Sequence, residues 1–227
     1  MTLEIYDGFE QGDEQWHAAR RGILTASVLG QFITPKTIKV AANDKTRAMA
    51  YQLVAERITG VTENTYVSRD MEEGHFFEPI ARDIYSAHYA PAEEVGFMVR
   101  DDWGFRIGYS PDGTVGDDGL IEIKRRLAKF QLATILADEV PAEHMAQCQT
   151  GLLISGRKWL DFISYCSGMP LFVKRVYPDP AWQKAILEAA SIFEGNAAQM
   201  ISDYTIAVLD RPTTERIDMY EEIELKL

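Results

Sequence analysis

Hydrophobic residues recur at helical spacing in several long segments of the chain. In one of them Met49, Leu53 and Ile58 return about once per turn, and Gly60 follows as a helix stop. Pro79 interrupts another and predicts a kink or a new helix start, because proline removes a backbone donor. The pattern predicts helices over 13–20, 44–58, 68–89, 127–137, 141–153 and 180–204, a short helix from Thr25 or Ser27, and a loop over 34–43.

Between positions 94 and 124 the pattern changes to short runs rich in Val, Ile and Phe. The turn sequences DDWG, SPDG and GDDG separate these runs and predict three or four strands. Two further strands are predicted over 158–166 and 171–177. This order of elements predicts an α/β fold with a central mixed β-sheet flanked by helices. At 227 residues we expect a single domain over 1–227, with a C-terminal helix and an acidic tail from about position 180.

The amino-acid composition excludes several classes of protein. Hydrophobic residues make up 46% of the chain and charged residues 26%, which is typical of a globular protein. No segment approaches the roughly 18 to 20 consecutive apolar residues that span a bilayer, and the N-terminus resembles no signal peptide. We therefore expect a cytoplasmic protein with no membrane partner. Two cysteines, Cys148 and Cys166, are too few for a disulfide framework or a four-cysteine zinc site.

Two carboxylates and a lysine are grouped in the strand region. A Pro-Asp pair ending at Asp112 is followed by Glu122 and Lys124 in the run LIEIK. Residues two apart in a strand face the same way, so Glu122 and Lys124 share one face while Ile121 and Ile123 share the other. A carboxylate and an ammonium therefore lie side by side.

The turn between these motifs sets where Asp112 lies. If Gly116 to Gly119 closes a tight hairpin, residues whose numbers sum to 235 are opposed, and Asp112 faces Ile123. That register puts Asp112 on the wrong face, so we predict a bulge near Gly113 that turns its carboxylate toward Glu122.

This group of side chains suits a hard divalent cation. Mg²⁺ takes oxygen ligands, usually one or two carboxylates with waters and phosphate, and Asp112, Glu122 and the Ile123 carbonyl offer such a set. We predict Mg²⁺, with Mn²⁺ as a substitute. Lys124 beside a metal-bound water orients it or helps to deprotonate it, which predicts phosphodiester hydrolysis. Alternating Glu and Lys also occurs on solvated strand edges, so this pattern alone does not establish a nuclease.

Four further segments carry a family resemblance. They are EQGDEQWHAAR at 10–20, ILTAS at 23–27, GHFFE at 74–78 and HMAQCQ at 144–149. In this order, with the ExK strand between the last two, they resemble the phage lambda exonuclease family of YqaJ-like viral recombinases and alkaline exonucleases over about residues 10–165. The resemblance implies a restriction-endonuclease-like PD-(D/E)xK core and a protein that works in a bacterial host.

The resemblance also implies an activity and partners. Members of the family form a ring-shaped homotrimer that digests one strand of linear double-stranded DNA from its end. Digestion runs 5′ to 3′ and leaves 3′ single-stranded overhangs for a single-strand annealing protein. Two alternatives stay open, a restriction-type endonuclease and a catalytically silent DNA-end-binding recombination protein.

Carried over position by position, the resemblance assigns the catalytic centre. Asp112 and Glu122 are metal ligands, and Lys124 is the catalytic lysine. Glu78 serves the metal from a helix, although a glutamate at a helix start also has a purely structural explanation in the helix dipole. Gln147 borders the cleft, unless it is an ordinary helix-surface amide.

A second group of positions is assigned to the DNA end. Arg20, Ser27 and Ser110 match positions that hold the terminal 5′ phosphate, a role suited to a guanidinium fork and two hydroxyls. Met71 matches an apolar wedge near the separating strands.

Two features depart from this picture. After Lys124 the family prototype has a small residue and a proline, whereas this chain has Arg125 and Arg126, which either contact phosphate or form a basic edge. The formal net charge of −12 opposes DNA binding, since binding the phosphate backbone needs a basic surface. We expect local clusters of basic residues to line a positive channel, at 20–21, 36–39, 45–47, 124–129, 157–158 and 174–175.

Overall fold

The fold was analysed in a computed structural model that describes residues 3–9, 13–62 and 69–217, those at 69–72 by their backbone only. Three predictions fall outside this part of the chain. They are the helix start at Ser68, the wedge role of the Met71 side chain and most of the acidic tail, 218–227.

Seven helices lie in the described part of the chain, and the long ones match the predicted segments. They are α1 (Glu14–Arg20), α2 (Ala26–Leu29), α3 (Asp44–Thr59), α4 (Arg69–His88), α5 (Ala128–Ala137), α6 (Ala142–Ser155) and α7 (Pro180–Ala207). The Asn43 side chain caps α3 by accepting hydrogen bonds from the next turn, and Gly60 ends the helix in the left-handed conformation at φ 69°. Pro79 lies inside α4, which continues as one helix.

Ten strands lie in the same part of the chain, and six of them were predicted. The predicted strands are β5 (Phe97–Arg100), β6 (Ile107–Tyr109), β7 (Gly113–Val115), β8 (Gly119–Arg125), β9 (Trp159–Tyr165) and β10 (Phe172–Val176). The additional ones are β1 (Leu3–Tyr6), β2 (Leu24–Thr25), β3 (Ile33–Thr34) and β4 (Lys39–Val40). The last two pair as a small hairpin inside the segment predicted to be a loop.

Two four-stranded mixed sheets form the centre of the molecule. The first has the order β1-β5-β6-β2 and the second β10-β9-β8-β7. In the second sheet β8 pairs in parallel with β9 and antiparallel with β7, which gives the mixed topology predicted. One apolar core joins Tyr109 of the first sheet, Phe162 of the second and Ile186 of α7, and Gly151 lets α6 approach the Tyr109 ring closely.

The predicted register of the β7–β8 hairpin is wrong. Gly113 pairs with Ile121, and Val115 with Gly119, so residues whose numbers sum to 234 are opposed. A loop of three residues, 116–118, joins the strands, and Gly116 takes a positive φ of 50° in it. The loop is one residue longer than a two-residue turn, so this register, extended by one residue beyond β7, places Asp112 opposite Glu122. No bulge near Gly113 is needed.

Candidate active site

A cleft of about 430 Å³ is lined by α1, the start of α2, α4, the end of β6 with the loop that follows it, β8 and α6. Nine residues assigned from the sequence line it: Arg20, Ser27, Glu78, Ser110, Asp112, Glu122, Ile123, Lys124 and Gln147. They come from four helices, one strand and one connecting loop, and the fold brings them together over more than a hundred residues of sequence.

The Asp112 carboxylate is fixed against the backbone of β8. Its Oδ2 accepts a hydrogen bond from the Ile123 N–H at 2.5 Å. The N–H and carbonyl of one strand residue point to the same side, so the Ile123 carbonyl is directed to the same edge as Asp112. This arrangement gives a carboxylate and a backbone oxygen at one edge of the sheet, as predicted.

The Glu122 carboxylate is buried beneath the cleft and held from two directions. Its Oε1 lies 2.7 Å from Lys124 Nζ, and its Oε2 accepts a hydrogen bond from the Tyr109 hydroxyl at 3.2 Å. Burial lowers the pKa of Lys124, but the negative charges of Glu122 and Asp112 outweigh it and raise that pKa. Lys124 is therefore an ammonium at neutral pH, and it shares a face with Glu122 as the alternation of the strand predicts.

Glu78 reaches the cleft from α4 and is engaged by Arg82 one turn later. The Arg82 Nη2 donates to Glu78 Oε1 at 2.6 Å, while its Nε donates to the Asp112 carbonyl oxygen at 2.8 Å. Arg82 also pairs with Glu94. Through its hydrogen bond to the Asp112 carbonyl, the same guanidinium joins α4 to the loop that carries Asp112. Ligation of a metal by Glu78 stays a prediction.

The electrostatics of the cleft favour a cation. Burial, and after it the charges of Glu122 and Glu78, raises the pKa of Asp112 well above its usual range. Burial also raises the pKa of Glu78. Among the described residues no three Asp, Glu, His or Cys side chains converge as a metal cluster. Two carboxylates and a backbone carbonyl, with water and phosphate completing the shell, nevertheless fit Mg²⁺, which keeps several of its waters.

Arg20 forms a separate polar site within the cleft. Its Nη1 donates to Ser110 Oγ at 2.7 Å, and its guanidinium carbon lies 4.1 Å from the centre of the Trp16 ring and 5.2 Å from that of Phe97. Burial lowers the pKa of Arg20 to about 10, so it is charged at neutral pH. In the part of the chain that the structure describes, no carboxylate pairs with this cation. An aromatic platform thus holds a guanidinium whose remaining donors suit an anion.

Two other predicted residues of the cleft, Ser27 and Gln147, have fewer described contacts than Arg20. Ser27 Oγ lies 3.1 Å from Thr25 Oγ1, and both residues line the cleft. Gln147 lines the cleft from α6.

Arg125 and Arg126 differ in their surroundings. Arg125 lines the cleft and pairs with Glu73 of α4. Arg126 lies between Glu143, at 3.3 Å, and His144, whose Nε2 is 2.7 Å away. Burial, and then the charges of Lys124 and Arg126, lowers the pKa of His144 to about 4, so this histidine is neutral at pH 7.

Most of the predicted basic clusters are paired locally with carboxylates. Of the basic residues, Arg20, Lys124 and Arg125 line the cleft. Others pair with acidic neighbours outside it: Arg47 with Asp44, Lys158 with Asp118, Lys174 with Asp138 and Arg175 with Asp161. A positive channel along all six clusters stays a prediction.

Three residues of the site were not singled out by sequence reasoning. Tyr109 holds Glu122, Arg82 holds Glu78 and the Asp112 loop, and Trp16 supports the Arg20 guanidinium. The four-residue spacing of Trp16 and Arg20 is the available signal, since it places both on one side of a helix.

Comparisons with known proteins identify the family of the chain. A model of the YqaJ-like viral recombinase domain matches residues 15–158. The alkaline exonuclease LHK-Exo from Laribacter hongkongensis is 30% identical, with 86% of this chain and 98% of that chain covered and a TM-score of 0.77. Its complex with dAMP gives the same identity and coverage and a TM-score of 0.76.

A more distant match concerns the fold alone. A phage-related exonuclease from Haemophilus somnus 129PT is 12% identical, with 80% of this chain and 96% of that chain covered and a TM-score of 0.62. No curated protein sequence gives a significant match. Within the described residues, no helix is both long and apolar enough to cross a bilayer. The chain belongs to the YqaJ-like viral recombinase family, has the restriction-endonuclease-like fold, and is a nuclease that acts on DNA.

Proposed function

We propose that the protein is a Mg²⁺-dependent exonuclease that digests one strand of linear double-stranded DNA from its 5′ end and leaves 3′ single-stranded overhangs. The observation that carries this proposal is the Arg20 guanidinium beside Ser110, in the same cleft as Asp112 and Lys124. A cation placed to hold a terminal phosphate next to a hydrolytic centre suits an enzyme that acts at a 5′ end. The dAMP complex of the Laribacter exonuclease supports a mononucleotide product.

The chemistry is hydrolysis of the first internucleotide phosphodiester. Water bonds to phosphorus, the bond from phosphorus to the 3′ oxygen of the terminal nucleotide breaks, and a proton passes to that oxygen. Asp112, Glu122 and the Ile123 carbonyl would hold Mg²⁺ or Mn²⁺, with Glu78 nearby, and the cation supplies charge stabilisation and an activated water. Lys124, kept as an ammonium, donates a hydrogen bond that orients the water.

The test uses linear duplexes with 5′-phosphate or 5′-hydroxyl ends, labelled at the 5′ or the 3′ terminus. We expect Mg²⁺-dependent release of the 5′-terminal nucleotide, faster from phosphorylated ends, and none from the 3′ terminus. Arg20→Gln should reduce the rate on phosphorylated ends to that on hydroxyl ends, while Arg216→Gln, an exposed arginine beyond α7, should leave both rates unchanged. First release of the 3′ label would contradict the polarity.

A closed circular duplex separates this function from its alternatives. An end-dependent enzyme leaves it intact, because there is no terminal phosphate for Arg20 to hold. Cutting of the closed circle would favour a restriction-type endonuclease. Recombination activity that survives Lys124→Ala undiminished would favour a silent end-binding protein.

We also propose that all 227 residues form one nuclease domain and that three copies form a ring that works with a single-strand annealing protein. One core shared by both sheets and α7 supports the single domain. Exposed apolar side chains on α5 support a subunit interface, since Leu132 is 52% and Leu136 is 76% exposed.

A further inference from the structure

The loop that joins α1 to β2 is held by two side chains of α3. Gly22 lies in this loop, between Arg20 and Ser27. Its N–H donates a hydrogen bond to Glu56 Oε2 at 2.8 Å, and its carbonyl oxygen accepts one from Arg57 Nε at 2.5 Å. Two neighbouring residues of α3 thus hold both polar groups of one loop residue.

Arg57 is itself fixed by α7. Its Nη1 and Nη2 donate to the two carboxylate oxygens of Glu194, each at 2.7 Å. Both side chains are 24% exposed, and the guanidinium carbon lies 5.1 Å from the centre of the Phe193 ring. A bidentate pair of this kind fixes direction as well as distance, so the position of the Arg57 Nε depends on Glu194.

The contact between the loop and α3 leaves little freedom. Gly22 has a positive φ of 65°, and a Cβ there would lie 2.5 Å from Arg57 Cγ and 3.2 Å from the Leu53 carbonyl oxygen. Glu56 is 7% exposed, and its hydrogen bond to Gly22 is buried. Any shift of α3 against α7 therefore passes directly to the backbone between Arg20 and Ser27.

We propose that Glu194, Arg57 and Glu56 form a positioning relay that sets the spacing between Arg20 and Ser27. Through that spacing the relay determines how strongly the enzyme prefers a 5′-phosphorylated end to a 5′-hydroxyl end. The three relay residues do not line the cleft. The proposal rests on the phosphate-holding role proposed above for Arg20. A displacement of about 1 Å in a positioning group can cost about a hundredfold in rate, so a small change in this spacing is enough to alter the preference.

The test compares terminal-nucleotide release from the two kinds of duplex end by the full chain with Mg²⁺. Glu194→Gln removes the charge opposite Arg57, and Arg57→Lys keeps a charge there but cannot also reach the Gly22 carbonyl. We expect both to lower the phosphate preference about tenfold. The loss should appear as a raised KM for phosphorylated ends, with kcat on hydroxyl ends within about twofold of wild type. Glu188→Gln, exposed on the same helix, is the matched control and should keep the wild-type preference.

Thermal unfolding of each variant separates positioning from stability, and the cleavage assays run well below the measured transitions. A lower melting temperature with an unchanged preference would show that the relay only stabilises the fold, and would overturn the proposal. If wild type and Arg20→Gln treat both ends alike, the proposed phosphate pocket itself fails and the relay proposal falls with it. A wild-type preference that Arg20→Gln removes and both relay variants retain would overturn the relay alone.

Discussion

Lys124 is a cation paired with the buried carboxylate of Glu122, and this pairing limits the catalytic roles that it can have. In the metal-free site the charges of Glu122 and Asp112 outweigh burial and raise the pKa of Lys124, so the group is an ammonium there. Its 2.7 Å contact with Glu122 supports the proposed role, which is to orient water and offset negative charge.

Replacing this lysine should separate catalysis from binding. We expect Lys124→Ala to lower kcat about a hundredfold or more, in the range that a positioned proton or hydrogen-bond donor contributes. Affinity for duplex ends, measured by fluorescence anisotropy in Ca²⁺, should change little because Arg20 is untouched. Lys184→Ala, exposed on α7, is the control. A single-turnover rate above about a tenth of wild type would count against the assignment.

The charge of Asp112 should serve metal binding and at the same time lower the stability of the metal-free protein. Its pKa is raised by burial and by Glu122 and Glu78, so ionising Asp112 costs the metal-free folded state free energy. Asp112→Asn removes that charge and keeps an oxygen to accept the hydrogen bond from Ile123 N. We expect the inactive variant to melt a few degrees higher than wild type in EDTA.

Adding metal should reverse the order of stability. Mg²⁺ at about a hundred times its Kd would stabilise wild type by about 2.7 kcal/mol, whereas Asp112→Asn should gain far less. Differential scanning fluorimetry with EDTA, Mg²⁺ and Mn²⁺ measures both effects without an activity assay. Equal shifts in the two proteins would mean that Asp112 is not a metal ligand.

The sequence predicted which charged residues share the cleft and did not predict what holds them. Asp112, Glu122 and Lys124 lie close together in the chain, so strand alternation and one hairpin nearly suffice to place them. Tyr109 and Arg82 act through contacts across separate elements, and their neighbours depend on how α4 and α6 pack. Neither residue differs in local pattern from an ordinary core tyrosine or a surface arginine.

At the scale of elements, long periodic segments were predicted well and short ones were missed. Helix α3 has both a cap and a stop signal in its sequence, whereas β2 is two residues long and exists because it pairs with β6. The error in the β7–β8 hairpin arose from assuming a two-residue turn. One extra loop residue shifts every cross-strand pair, which explains why the predicted bulge was unnecessary.

The close approach of α3 to the α1–β2 loop can be tested with two glycines of similar conformation. Gly22 and Gly60 have φ of 65° and 69°, but a Cβ at Gly60 meets nothing within 4 Å. Gly60→Ala should therefore cost about 1 kcal/mol for backbone strain alone, and Gly22→Ala clearly more because α3 must move. Denaturant unfolding measures both free energies, and equal losses would show that the contact with Arg57 yields easily.

For the molecule as a whole, charge and assembly are linked. A net charge of −12 on each copy makes the exterior repel DNA, and many basic residues outside the cleft are already paired. Entry of a duplex then depends on a few cations in the cleft, and a ring of copies would concentrate them around one axis.

The proposed ring of three copies predicts the mass of the protein in solution. Light scattering coupled to gel filtration should give three times the 25.6 kDa chain mass. Leu132→Glu and Leu136→Glu, on the exposed face of α5, should reduce that mass if this face joins the subunits, whereas Ile217→Glu, exposed beyond α7, should not. A monomer of unchanged nuclease activity would contradict the ring.

The pairing of Arg20 with Ser110 has a kinetic consequence, because the ligand it is proposed to hold is made by the reaction. Breaking the bond to the 3′ oxygen leaves a phosphate on the 5′ oxygen of the next nucleotide. A strand that begins with a hydroxyl is therefore slow only for its first nucleotide, and every later end resembles a phosphorylated one. A missing 5′ phosphate should therefore appear as a lag in the time course, of the same duration for short and long duplexes. Digestion then continues at the full rate.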